Sequence, residues 1–245
     1  MIIQTPSFNL AIYAAGSPGS DKIALVLPGK LDTKDYAHMR SHVDYLAKRG
    51  YYAVSFDPPG TWESPGENSL YTISNYLQAV DELIEYFGNK PTVLVGHSRG
   101  GNVAMLAAGR NPYISHVIAI MSPSGPTTAD SIEPGQAPTP SYRDLPPGTE
   151  RTTNQKQFVL TAEYYQDQLQ YDALDSMRSS TIPKLFFYGT TDVLVRPETV
   201  QAMYEAAAQP KMLHELQCEH DYRLHPGVIA EVNTTIEQFL AQVLV

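Results

Sequence analysis

The stretch Gly96-His97-Ser98-Arg99-Gly100 follows an apolar run at 92–96 and leads into the alanine-rich stretch at 102–108. A serine on a sharp strand-to-helix turn holds its hydroxyl out for attack on a carbonyl. Glycines two before and two after it leave room for the backbone to double back. The helix that starts there aims its N-terminal N–H groups at negative charge forming beside the serine. Three fixed positions at about 7% each arise by chance in roughly one chain in ten of this length, so the flanking strand and helix carry the weight. The bland alternative is a glycine turn with an incidental serine.

A serine hydroxyl is a weak nucleophile until a base takes its proton, and imidazole is suited to that because it titrates near neutrality. Of seven histidines, His220 lies between an apolar run at 211–216 and the last helical stripe, where it can share a sheet edge with Ser98. His225 competes, although it abuts Pro226. A base of this kind needs a carboxylate to fix its tautomer and to stabilise imidazolium. Asp192 closes the strand-turn segment 184–192 ahead of Pro197; the alternative is a turn-stabilising Asx residue, which the sequence Gly-Thr-Thr-Asp would also explain. Glu219 and Asp221 stand too near His220 in sequence to reach round to its ring.

The elements that must position these groups are visible as apolar runs of strand length at 23–27, 51–56, 92–96, 116–121, 184–189 and 211–216. Helical stripes alternate with them: Ile73, Leu77, Val80, Leu83, Ile84 and Phe87; Val200, Met203, Tyr204 and Ala207; and Ile229, Val232, Ile236, Phe239 and Leu240. The alternation predicts an α/β fold whose mostly parallel central sheet carries helices on both faces, with 8–13 as an antiparallel edge strand. One domain spans 1–245. The pattern breaks over 123–182, a stretch that includes Pro123, Pro126, Pro134, Pro138, Pro140, Pro146 and Pro147, which predicts a cap or lid insertion with short helices in its later part.

The order Ser98, Asp192, His220 resembles the α/β-hydrolase family, and the likeness covers nearly the whole chain. It includes Leu27-Pro28-Gly29-Lys30, with Pro28 where family members often carry His, and Asp57-Pro58-Pro59-Gly60-Thr61-Trp62-Glu63-Ser64, with Trp62 where a second glycine usually stands. The resemblance implies an α/β-hydrolase fold and an oxyanion hole made by the backbone N–H groups of Arg99 and Lys30, with Leu31 as the alternative to Lys30. Leu31, Trp62 and Tyr164 are assigned to the substrate pocket. Tyr142, Tyr165 and Tyr171 either face that pocket or fix the cap to the body.

The chain of 245 residues carries a net charge of −9 and has no basic run, which argues against nucleic acid as a partner. Its one cysteine, Cys218, cannot form an internal disulfide and reads as packing. The first residues lack the basic start of a secretory signal, and no apolar run is long enough to span a bilayer, so a cytoplasmic protein without membrane association is expected. No dinucleotide fingerprint and no clustered metal ligands are evident, so neither cofactor nor metal is expected. The expected activity is hydrolysis of a small-molecule ester or thioester through an acyl-enzyme on Ser98. Two alternatives stay open: a small-peptide or amide hydrolase, for which Glu133, Glu150, Glu163 and Asp167 would bind an amine, and a non-catalytic binding protein of the same fold.

Overall fold

The computed structural model of the protein describes residues 1–125 and 140–242. Eight strands form one sheet: β1 (Ile2–Gln4), β2 (Asn9–Ala15), β3 (Ile23–Leu27), β4 (Tyr52–Phe56), β5 (Thr92–His97), β6 (Ile114–Ile120), then β9 (Lys184–Gly189) and β10 (Lys211–Leu216). Their spatial order is β1-β2-β4-β3-β5-β6-β9-β10. The six strands from β4 to β10 run parallel, whereas β2 pairs antiparallel with both β4 and β1. The first expected strand is therefore antiparallel but not the edge, because β1 lies outside it.

The central strands are buried on both faces, so they read as unbroken apolar runs. Along β3, Ile23, Leu25 and Leu27 enter one core while Ala24 and Val26 enter the other. The first core lies under α2 (Ile73–Tyr86), α3 (Arg99–Ala108) and α6 (Pro197–Ala206); the second lies under α1 (Ala37–Ala47) and α7 (Pro226–Gln242). Thr72 caps α2 by accepting from the Asn75 N–H, and Pro197 begins α6 with its fixed φ suited to a first helical turn.

Helix α1 has no counterpart among the expected stripes. Its buried positions are His38, Met39, His42, Val43 and Leu46, and two imidazoles in the seam break the apolar period.

Between β6 and β9 lie an antiparallel hairpin, β7 (Pro140–Asp144) with β8 (Gln155–Val159), and two short helices, α4 (Ala162–Gln168) and α5 (Leu174–Ser179). Phe158 of the hairpin packs edge-on against Trp62 at 5.3 Å between ring centres, and Tyr164 of α4 stacks on Tyr71 at 5.6 Å. Pro126, Glu133, Pro134 and Pro138 lie outside the described residues. Among the described residues, no helix is long and apolar enough to cross a membrane.

Candidate active site

Four parallel strands, β3, β5, β9 and β10, end at one edge of the sheet, and the turns that leave them converge. Ser98 sits between β5 and α3 with φ 52° and ψ −117°, a conformation costing about 1–3 kcal/mol for a residue with a side chain. Its neighbours make the turn possible by being small. A Cβ on Gly96 would stand 2.3 Å from the Gly100 carbonyl, and one on Gly101 would collide with the Ser122 hydroxyl. The Ser98 N–H donates to the Ile120 carbonyl at 2.8 Å, which ties the strained residue to β6.

His220 follows β10 and Asp192 follows β9. His220 Nε2 lies 2.9 Å from Ser98 Oγ, and His220 Nδ1 lies 2.7 Å from Asp192 Oδ2. A carboxylate only accepts, so Nδ1 carries the proton and Nε2 presents its lone pair to the serine hydroxyl. The other carboxylate oxygen, Oδ1, accepts the N–H groups of Leu194 at 2.8 Å and Val195 at 2.9 Å, so the Asx turn and the contact to His220 coexist on one side chain. His225 instead faces Glu219 at 3.7 Å, which removes it as a partner for Ser98. Glu219 and Asp221 engage Arg151.

Arg99 is the first residue of α3, so its backbone N–H belongs to the helix N-terminus beside Ser98. Its guanidinium donates to the Tyr164 hydroxyl and the Gln168 amide oxygen, both at 2.8 Å. Lys30 borders the same cavity, and its carbonyl accepts from Arg143 Nε at 3.0 Å and Nη2 at 2.9 Å. The Leu31 N–H donates to the Tyr71 hydroxyl at 3.1 Å and so is already committed.

The cavity over Ser98 holds about 540 Å³, within the range of small-molecule sites. Its wall includes Lys30, Asp32, Arg143, Leu194 and Val195 beside Ser98 and His220. Leu31, Trp62 and Tyr164, expected in the substrate pocket, are not among the residues that border this cavity. Leu31 and Tyr164 are buried, and Trp62 donates its indole N–H to the Leu31 carbonyl at 2.8 Å. Trp62 has φ 46°, the left-handed conformation that glycine adopts without strain, which accounts for a glycine being usual there. Tyr142 borders the cavity, whereas Tyr171 bonds Ser74 at 2.7 Å.

Glu150, Glu163 and Asp167 do not border the cavity, and Asp167 is bonded to Ser74. Glu133 lies outside the described residues. Cys218 is buried, and burial followed by the charge of Asp192 pushes its thiol up to about 12, so it stays a packed thiol.

Sequence reasoning missed Asp32, Arg143 and Arg223. Asp32 lies two residues past Lys30, with its carboxylate 3.5 Å from His97 Nδ1 and 3.8 Å from Arg143 Nε. Arg223 forms a buried ion pair with Asp144 at 2.6 Å and joins the end of β7 to the turn after His220. Nothing local in the sequence signals that pair, whose members lie 79 positions apart.

Residues 25–232 match the alpha/beta hydrolase family. Monoacylglycerol lipase abhd6-A of Xenopus laevis is 27% identical over 222 residues; the match takes in 86% of this chain and 60% of that protein, so the chain spans less than two thirds of that relative. Among solved structures, ferulic-acid-bound Est1E from Butyrivibrio proteoclasticus superposes with a TM-score of 0.79 at 19% identity, covering 99% of this chain and 98% of that one. The thioesterase domain from the curacin biosynthetic pathway gives 0.72 at 18% identity, over 97% and 98% of the two chains. At these identities the two structures share the fold.

Proposed function

Because the chain belongs to the alpha/beta hydrolase family, we propose that it hydrolyses an ester or thioester of a small molecule through an acyl-enzyme on Ser98. The observation that carries this reading is the unbroken relay from Ser98 Oγ through His220 to Asp192, at 2.9 and 2.7 Å. Names among its relatives, a monoacylglycerol lipase and a thioesterase domain, support ester chemistry as the class.

In the first half-reaction the Ser98 Oγ proton passes to His220 Nε2 as Oγ bonds to the carbonyl carbon, and the carbonyl π electrons move onto oxygen. That oxyanion is held by the backbone N–H groups of Arg99 and Lys30, each worth about 3 kcal/mol to the transition state. As the intermediate collapses, the bond to the leaving oxygen or sulfur breaks and His220 returns the proton to it. Water then gives a proton to His220 and attacks the acyl carbon, the ester bond to Oγ breaks, and the proton goes back to Ser98. Residues 123–182 act as a cap within the single domain 1–245; Ser141, Tyr142 and Arg143 of its hairpin in the cavity wall support that assignment.

Of the acidic residues expected to bind an amine, Glu150, Glu163 and Asp167 stand away from the cavity, which favours the ester reading. Turnover of short nitrophenyl esters and of aminoacyl amides by the protein and by Ser98→Ala tests the proposal. Ester turnover that exceeds amide turnover and falls on the order of 10⁴-fold in the variant is expected. A folded Ser98→Ala protein that keeps most of its esterase activity refutes it.

A further inference from the structure

Behind the catalytic turn, Asp32, His38 and His97 bring three donor atoms within 4.8 Å of one another. They come from three separate elements: the turn after β3, the first turn of α1 and the last residue of β5. His38 is fully buried, and neither of its ring nitrogens has a hydrogen-bond partner; His97 Nδ1 has none either. An orphaned buried imidazole is costly, at about 1–3 kcal/mol for each unsatisfied group.

The tautomer of His97 sharpens the point. Its Nε2 lies 3.1 Å from the His220 carbonyl, which only accepts, so Nε2 carries a proton. In the neutral ring Nδ1 then presents a lone pair to Asp32 Oδ2 at 3.5 Å. A lone pair facing a carboxylate is repulsive unless a proton or a metal ion lies between them, and a proton there would still leave both nitrogens of buried His38 without a partner.

We propose that Asp32, His38 and His97 bind one divalent cation of the zinc class. Two tetrahedral ligands at about 2.0–2.2 Å from zinc stand roughly 3.4 Å apart, close to the separation of His97 Nδ1 and Asp32 Oδ2. Two imidazoles and a carboxylate suit zinc, and a metal-bound histidine characteristically donates its other N–H to a carbonyl, as His97 does to His220. Gly29 keeps the space beside both atoms clear, since a Cβ there would stand 2.8 Å from Asp32 Oδ2 and 3.2 Å from His97 Nδ1. Asp32 and His97 border the cavity and His38 does not, so the cation is reached from the cavity, with its fourth position on that side.

The molecule offers a contrast. Asp35, Asp57 and Glu63 also cluster, but the Lys34 ammonium already lies among them, 2.6 Å from Glu63 and 3.6 Å from Asp57. His42, one turn beyond His38, spends its nitrogens on Asn233 at 2.7 Å and Tyr222 at 2.8 Å. A cation at Asp32, His38 and His97 would link β3, α1 and β5 and, through His97, brace the backbone of His220.

The test uses the full chain, stripped with a chelator and titrated with Zn²⁺ against a chromophoric competitor, with Co²⁺ as the spectroscopic probe. One Zn²⁺ per chain, visible Co²⁺ bands and a melting midpoint raised by several degrees are expected. Affinity should fall at least 100-fold in both His38→Gln and Asp32→Asn, and stay unchanged in His214→Gln, where a half-buried imidazole on β10 pairs with Glu231. Absence of stoichiometric binding by the wild-type protein overturns the proposal. So does a folded His38→Gln or Asp32→Asn that binds Zn²⁺ as tightly as the wild type. None of these readouts depends on ester hydrolysis, so failure of the site and failure of the proposed activity are separable.

Discussion

Asp192→Asn is the most informative single change at the active site, because the two oxygens of Asp192 have different duties. Oδ1 accepts two backbone N–H groups, from Leu194 and Val195, while Oδ2 accepts the His220 Nδ1 proton. The amide has only one acceptor oxygen, and satisfying two backbone donors costs less than abandoning them, so the oxygen stays on the turn and the NH₂ faces His220. His220 must then accept at Nδ1 and carry its proton on Nε2, which points that proton at Ser98 Oγ, 2.9 Å away. A base that already holds a proton cannot take another. Turnover should fall on the order of 10⁴-fold, about 5.5 kcal/mol of barrier, while the fold is retained because the turn keeps its acceptor. Asp192→Ala serves as the contrast, since it strips both duties and should also lower stability by about 1–3 kcal/mol. The assay is nitrophenyl ester turnover paired with urea denaturation of each variant. A folded Asp192→Asn protein with more than about a tenth of wild-type turnover would refute the tautomer argument.

Two further outcomes concern stability. Arg223→Met leaves the Asp144 carboxylate buried without its cation, which should cost about 3–5 kcal/mol in chemical denaturation; a loss below about 1 kcal/mol would show that the pair is not structural. His42 is held to about 4 by burial, against the opposing bond to Asn233, and its neutral form alone both donates to Asn233 and accepts from Tyr222. Between pH 6.5 and 4 the unfolded chain takes up a proton that the native chain refuses, so stability falls as pH drops, by roughly 2–3 kcal/mol at pH 4.5 from this residue. Unfolding free energies at pH 7.5 and 4.5 should differ by that much less in His42→Gln; an unchanged difference would contradict the assignment.

Strands buried on both faces declare themselves in sequence, which is why the runs at 23–27 and 184–189 match β3 and β9 residue for residue; the run at 211–216 matches the edge strand β10, which is only partly buried, through its turn signals at either end. The nucleophile turn is legible for a related reason. Its glycines answer a steric demand a few residues wide, and Ser98, Asp192 and His220 each stand just beyond the carboxyl end of a strand. Helix α1 escaped because its core face is built partly of imidazoles, and hydrophobic periodicity does not register His38 and His42 as buried. The cavity wall was equally hidden. Arg143 reaches Lys30 across 113 positions, and the pair Arg223 and Asp144 spans 79, so neither contact leaves a local pattern. Trp62 and Tyr164, expected in the pocket, make ring contacts outside the cavity wall, Tyr164 stacked on Tyr71 and Trp62 edge-on to Phe158.

Reaction of the folded protein with a fluorophosphonate, followed by intact mass and peptide mapping, bears on the nucleophile with the fewest intervening steps. One phosphonyl adduct per chain, carried by Ser98 and formed far more slowly in Asp192→Asn, is the predicted result. Folded protein that takes no adduct, or takes it on a different side chain, would contradict the account.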